Sequence, residues 1–533
     1  MRKLPLGIQN FKEVVEGGYL YIDKTRYVYD LINGAKYYFL SRPRRFGKSL
    51  LLDTICEVLR GSRELFKGFW IYDSDYAFPK FPIIRLDMSS ISNETPEVLK
   101  AALLYELRIK INNERLSITD NNPQNVFKSL IIDMHKKYNQ RVVVLIDEYD
   151  KPILDNINNM ELADANRQVL RGFYGILKSM DPYLRLVFVT GVSKFTKTSI
   201  FSGLNNLKDI TMLEDYAGIC GIPVESLDEC FGEYIENLSR HKRFKQYSNV
   251  RNEILAWYDG YSWDGETRLL NPFSLLNFLD QKRFAGFWYT SGTPGFLLSL
   301  IKKKPESYFN IRNTEITEHM LDSVELDKIT IEPLLFQTGY LTVKDVPLTH
   351  GTPVYMLDIP NFEVREAFNM HLLSALTESD DVRVWQVRSE INKALQDGDL
   401  VKMLDMLRGL FASIPYELHV DAEAYYHSIF YVFMTLLGFD MGVEVSVSKG
   451  RVDAILELEG KAYVMEFKYE NCPRGMSAEK KQKLVETALD KAMAQIVDRG
   501  YSDKFKGSNK AVYQAAFVFL GGGDIDMRVD IRQ

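Results

Sequence analysis

Five consecutive aliphatic residues, Val142 to Ile146, run straight into two carboxylates, Asp147 and Glu148. An amphipathic helix or a half-exposed strand would show polar residues at regular intervals, and this run shows none. It reads as a strand covered on both faces, the signature of a parallel sheet flanked by helices. Related runs occur at Tyr37–Leu40, Pro82–Leu86 and Leu184–Val189, separated by helical stretches such as Val98–Ile111 and Arg167–Met180. The alternation predicts an α/β fold built on a parallel sheet over residues 1–225.

The strand at Tyr37–Leu40 gives way to a basic loop, Arg42-Pro43-Arg44-Arg45-Phe46-Gly47-Lys48-Ser49, and then to a helical pattern. Backbone N–H groups at a helix N-terminus attract phosphate, a lysine reaches the outer phosphates, and a hydroxyl can hold magnesium. Gly47, Lys48 and Ser49 supply that end of a phosphate loop, while Arg42 stands where the usual first glycine would be. The acid at the tip of a neighbouring buried strand completes the pattern. The expected nucleotide-binding set is Arg44, Arg45, Phe46, Gly47, Lys48, Ser49, Asp147 and Thr190. Ser49 and Asp147 hold Mg²⁺, Glu148 activates water, and Thr190 senses the γ-phosphate. Arg44 and Arg45 either bind phosphate or pair within the fold, and both readings stand.

A second site is expected near the C-terminal end. Arg451–Leu456 and Ala462–Tyr469 read as two strands of a hairpin. In the second, Glu466 and Lys468 are two residues apart and share a face. Asp453 on the first strand can project towards them. Two carboxylates together in a sheet repel each other and lose hydration, and a divalent cation relieves both costs. Asp453 and Glu466 can therefore hold Mg²⁺ or Mn²⁺ through hard oxygen ligands, with the Phe467 carbonyl as a further ligand. Lys468 can orient water and counter charge on a phosphate. The competing reading is a solvent-facing ladder of ion pairs across a hairpin.

Between the two sites, residues 226–300 read as helical and aromatic-rich, either a lid beside the nucleotide domain or an ordinary helical core. Residues 301–412 read as a connector: a helix near Ile331–Leu335, strands at Tyr340–Val343 and Val354–Met356 in a winged-helix-like order, then further helices. That first helix has no basic face for phosphate. Residues 413–533 return to mixed structure, with Val512–Leu520 expected as the last strand.

The run Tyr38–Ser49, with Leu145–Asp150, Thr190–Phe195 and Phe201–Leu207, resembles the AAA-ATPase-like family common in bacteria. The resemblance covers roughly residues 5–300 and implies a P-loop NTPase fold, frequently followed by a nuclease-like domain. Asp453 with Glu466-Phe467-Lys468 resembles the PD-(D/E)XK nuclease superfamily over about residues 413–525, implying an α/β restriction-endonuclease-like fold. By that resemblance, Glu423 matches a helical glutamate supporting the metal centre, and Gln495 matches a polar residue on the helix after the Glu-x-Lys strand. His427 lies one helical turn beyond Glu423 and is expected to be structural or substrate-facing. Tyr425 and Tyr426 are expected to pack.

The implied activity is ATP binding and hydrolysis coupled to metal-dependent cleavage of nucleic acid, DNA ahead of RNA. Two alternatives stay open: a nucleotide-dependent switch or scaffold with an inactive nuclease fold, and an ATPase that remodels protein partners. A protein partner or a second copy of the chain is compatible with each. The net charge of −6 excludes a surface broadly coated in basic residues, so any nucleic-acid contact is confined. Four scattered cysteines form no disulfide framework or zinc pattern. Arg2-Lys3 is followed by no apolar run, and no stretch approaches a membrane span, so a cytoplasmic protein with no membrane contact is expected.

Overall fold

The computed structural model describes the chain except for residues 195–199, 202–205, 289–313, 322–330, 378–380, 414–422, 440, 448–449, 473–474, 506, 522–523 and 533. Two units divide the chain: Met1–Phe296 with Asn310–Arg365, and a second that takes in Glu366–Gln533.

In the first unit, β1 (Tyr37–Ser41), β2 (Ile83–Asp87), β3 (Val142–Asp147), β4 (Leu184–Gly191) and the short β5 (Lys208–Asp209) form one sheet. Their order is β2-β3-β4-β1-β5, and every neighbouring pair is parallel. All of β3 is buried, as its unbroken apolar run requires. Parallel neighbours need long crossovers, supplied by helices Pro96–Asn113, Pro123–Tyr138 and Met160–Ser179. The first two open with proline behind a capping side chain: Thr95 accepts from the Val98 N–H, and Asn122 from Gln124 and Asn125. Because β4 lies between β1 and β3, its tip separates the phosphate-loop strand from Asp147.

Beyond the sheet, β6 (Ile222–Pro223) pairs with β7 (Leu269–Leu270). Helices Glu225–Arg240, Val250–Tyr258 and Pro272–Gln281 bury Leu227, Phe231, Ile254, Tyr258 and Phe278 in one cluster, which Leu20 from the N-terminal segment joins. The antiparallel strands β8 (Thr314–Thr317), β9 (Thr342–Asp345), β10 (Leu348–Thr349) and β11 (Thr352–Asp358) complete the unit, with β11 paired to the other three. Helix Ile331–Thr338 buries Pro333 to Thr338, so it offers no broad outer face to nucleic acid. No helix among the described residues is long and apolar enough to cross a membrane.

The second unit is built on a mixed sheet of β12 (Met441–Val447), β13 (Gly450–Leu458), β14 (Lys461–Glu470), β15 (Ala511–Leu520) and β16 (Asp524–Arg532), in chain order. Only β14 and β15 are parallel, joined across helix Ala478–Asp498. That helix packs Leu489, Ala492 and Ile496 with Val464 and Val518. Phe430, on helix Glu423–Leu436, meets Phe467 and Phe517 at ring separations of 4.8 and 5.1 Å.

The strand Val512–Leu520 was expected to end this sheet, and it does not. Strand β16 runs antiparallel along the free side of β15. Its sequence alternates charged and apolar residues strictly, Asp524-Ile525-Asp526-Met527-Arg528, which is an edge strand's pattern. Ile525 is fully buried while Ile531 is exposed, so charge density hid a strand whose period was legible.

Candidate functional sites

Strand β1 delivers the chain to the phosphate loop, and helix Lys48–Leu59 carries it away. Gly47, the residue before that helix, has φ of 95°, a left-handed conformation that glycine adopts without penalty. Gly47 is exposed and Ser49 half-buried, so the helix N-terminus is open to an anion. The Lys48 ammonium donates to the Arg42 and Pro43 carbonyls, both at 2.9 Å. The lysine is folded back on its own loop. Burial lowers its pKa, opposed by the nearby carboxylates of Asp147, Glu148 and Asp150.

Arg42 is fully buried and turned away from the loop. Its guanidinium donates to the carbonyls of Ser41, Thr211, Tyr216 and Ala217 at 2.9 to 3.4 Å, and lies 3.9 Å from the Trp263 ring centroid. The unusual loop residue is thus a brace for distant backbone. The Phe46 ring is buried against Tyr261 and Trp263, so only its backbone can serve a phosphate. Arg45 has φ of 64° and reaches over Phe273. The Arg44 carbonyl accepts from the Trp288 indole at 3.2 Å, while the Arg44 charge acts on Glu148.

At the strand tips, Thr190 donates to Asp147 Oδ1 at 2.5 Å, and the Glu148 N–H donates to the same oxygen at 3.1 Å. The Thr190 hydroxyl thus holds one oxygen of the Asp147 carboxylate. Glu148 has φ of 51°, a strained value for a residue with a Cβ and one that clusters at functional sites. Burial raises its pKa first, with Asp147 and Asp150 adding to this and Lys48 opposing it, which suits a proton acceptor. Asp150 accepts from the Ser193 N–H and hydroxyl, each at 2.6 Å, pinning the segment after β4. Gly191 lies so close that a Cβ there would come within 2.5 Å of the Tyr149 ring.

In the second unit, Ala454 pairs with Met465 across β13 and β14, which sets Asp453 beside Glu466. The Phe467 N–H donates to Asp453 Oδ2 at 2.9 Å, and Lys468 Nζ lies 3.0 Å from Glu466 Oε1. Glu466 and Lys468 therefore share a face, as the two-residue period predicts, and the Asp453 carboxylate acts on Glu466 from the neighbouring strand. Glu466 is 1% exposed, and its Oε2 has no hydrogen-bond partner among the described residues. A buried carboxylate oxygen left bare costs free energy. Burial, then repulsion from Asp453, lifts the Glu466 pKa to about 7, with Lys468 opposing. This is a donor set that a hard divalent cation fits.

Gln495 donates to the Tyr501 hydroxyl at 3.4 Å, and Arg499 donates to it at 3.1 Å. The Arg499 charge also acts on Glu466 and Asp453. Neither Arg499 nor Tyr501 was singled out from sequence; a cation at the end of the helix that carries Gln495 was the available signal. Tyr426 is buried between Tyr469 and Phe519, as a packing group should be. Glu423 opens helix Glu423–Leu436, but its side chain, with those of Tyr425 and His427, lies outside the described residues. Among the described residues, no three His, Cys, Asp or Glu side chains gather closely enough to hold a metal.

A protein described as "Uncharacterized protein in vnfD 5'region" of Azotobacter chroococcum mcd 1 is 34% identical over 525 residues, spanning 97% of this chain and 96% of that one. The "Predicted AAA-ATPase" family model matches residues 5–201, and the PD-(D/E)XK nuclease superfamily model matches residues 421–525. The chain belongs to this AAA-ATPase-like family. Its C-terminal end is a PD-(D/E)XK nuclease-superfamily domain. Among solved structures, the Aeropyrum pernix ORC2 protein (ADPNP-ADP complexes) aligns over 88% of this chain and 93% of its own, at 12% identity and a TM-score of 0.25. Drosophila ORC bound to poly(dA/dT) DNA and Cdc6 (conformation 1) aligns over 75% and 61%, also at 12% and 0.25. Likeness that slight says nothing further about this chain.

The PD-(D/E)XK domain carries a pH signature. Glu466 has an ordinary pKa near 4.5 when unfolded and about 7 when folded. Between those values the unfolded chain has released a proton that the folded chain retains, so metal-free stability falls as pH rises through that window. Above it, the Glu466 carboxylate is ionised and ready for a cation. Calorimetry is expected to show Mg²⁺ or Mn²⁺ raising Tm at pH 8 and having little effect at pH 5.5. Equal effects at both pH values would contradict this.

Proposed function

We propose that this AAA-ATPase-like chain is a metal-dependent nuclease governed by a bound nucleotide. The observation that carries the reading is the unpartnered, buried Glu466 Oε2 beside Asp453 and Lys468. Asp453 and Glu466, with Glu423, hold Mg²⁺ or Mn²⁺. A divalent cation bound there supplies Lewis acidity to the scissile phosphate and to the attacking water. Lys468 orients that water and offsets charge developing on phosphorus. Gln495 and its Tyr501 partner border the substrate side. DNA is the favoured substrate over RNA.

In the nucleotide half, the loop Arg44 to Ser49 receives ATP phosphates, with Lys48 released from its own carbonyls to meet them. Ser49 and Asp147 hold Mg²⁺, Thr190 fixes the Asp147 carboxylate, and Glu148 takes the proton from attacking water. Helices Glu225–Arg240, Val250–Tyr258 and Pro272–Gln281 act as a lid that reports nucleotide state. The protein works in the cytoplasm, where its four free thiols stay reduced. The test is nicking of supercoiled plasmid by the intact protein, with Mg²⁺ or Mn²⁺ and with or without ATP. Metal-dependent nicking supports the proposal; intact plasmid under every condition overturns it and favours the inactive switch.

A further inference from the structure

A cavity opens beside the phosphate loop, and Gly47 forms part of its wall. Six separated stretches of chain line it, represented by Pro5, Leu20, Phe46, Ile219, Phe231 and Leu276. It offers about 100 Å³ of space to water-sized groups, against the roughly 10–15 Å³ that a single water needs. An apolar slot of that size beside a phosphate loop suits a flat ring better than solvent.

One charged group stands in this lining. Lys24 is 8% exposed, and its ammonium donates to the Gly218 carbonyl at 2.6 Å, with the Tyr27 ring 5.9 Å away. A lysine ammonium has three donors, so two are left without an acceptor among the described residues. The neighbouring Asp23 offers no direct ion pair: its carboxylate accepts from Thr25 and from the Trp70 N–H. Burial lowers the Lys24 pKa to about 8. An aliphatic side chain would fill this wall without that desolvation cost.

We propose that Lys24 reads the base of a bound purine nucleoside triphosphate. The purine enters the cavity with its triphosphate on Gly47 to Ser49, and one ring nitrogen accepts a hydrogen bond from Lys24 Nζ. This rests on the nucleotide-binding half of the function proposed above. Lys24 supplies only donors, so it selects a ring edge that presents an acceptor.

The test is calorimetric titration of the full-length protein with ATP, with inorganic tripolyphosphate, and with 1-, 3- and 7-deaza-ATP, all with Mg²⁺. Lys24→Met is expected to weaken ATP about tenfold or more, as loss of a hydrogen bond from a charged group does, and to leave tripolyphosphate unchanged. At least one deaza analogue is expected to bind the wild-type protein about tenfold more weakly than ATP, a result that needs no folded variant. If all three analogues bind like ATP, or if Lys24→Met weakens ATP and tripolyphosphate alike, Lys24 does not read the base. Wild-type protein that binds neither ATP nor tripolyphosphate would remove the nucleotide reading and this inference with it.

Discussion

Lys468→Ala is expected to slow metal-dependent plasmid cleavage about 10²–10³-fold, the usual loss when one donor facing a developing charge is removed. The lysine reaches Glu466 at 3.0 Å from the same strand face, with Asp453 on the adjacent strand. On the proposed reading, its ammonium faces the phosphate and attacking water beside the two carboxylates. ATP affinity should not change, because the substitution leaves the first unit's chemistry intact. Folding should largely survive, since the Lys468 side chain is 24% exposed. Equal cleavage by the variant and the wild type would show that cutting, if present, occurs elsewhere.

Arg42→Gly has a large effect of a different kind. It restores the residue that phosphate loops ordinarily carry at this position, so sequence comparison alone would predict improved nucleotide binding. The geometry predicts damage. Four carbonyls, of Ser41, Thr211, Tyr216 and Ala217, lose their donor in a fully buried site, and the Trp263 face is uncovered. Breaking a buried charged network of this kind costs about 3–5 kcal/mol, or about 5–10 °C in Tm for a unit of this size. Differential scanning calorimetry of the intact protein checks it. An unchanged Tm, or tighter ATP binding, would contradict the bracing role.

Arg42 also marks where sequence reasoning stops. Its role depends on carbonyls more than 160 residues away along the chain, and no local pattern announces such partners. The same holds for the cavity beside the phosphate loop, whose walls come from six stretches of chain that only the fold assembles. What could be read directly was period and punctuation. An unbroken apolar run gave the buried strand β3, and its terminal acid gave Asp147. The two-residue step from Glu466 to Lys468 gave a shared face, which their 3.0 Å contact bears out. The Thr190 hydroxyl was legible as a polar strand tip, but its target, the Asp147 carboxylate, was not. Strand order decided that: β4 lies between β1 and β3.

The central claim is that Asp453 and Glu466 share one divalent ion within reach of Lys468. Anomalous diffraction from crystals soaked in Mn²⁺ addresses it directly. The account predicts a peak about 2.0–2.3 Å from a carboxylate oxygen of each residue. Manganese bound only elsewhere, with the gap between those carboxylates empty, would contradict it.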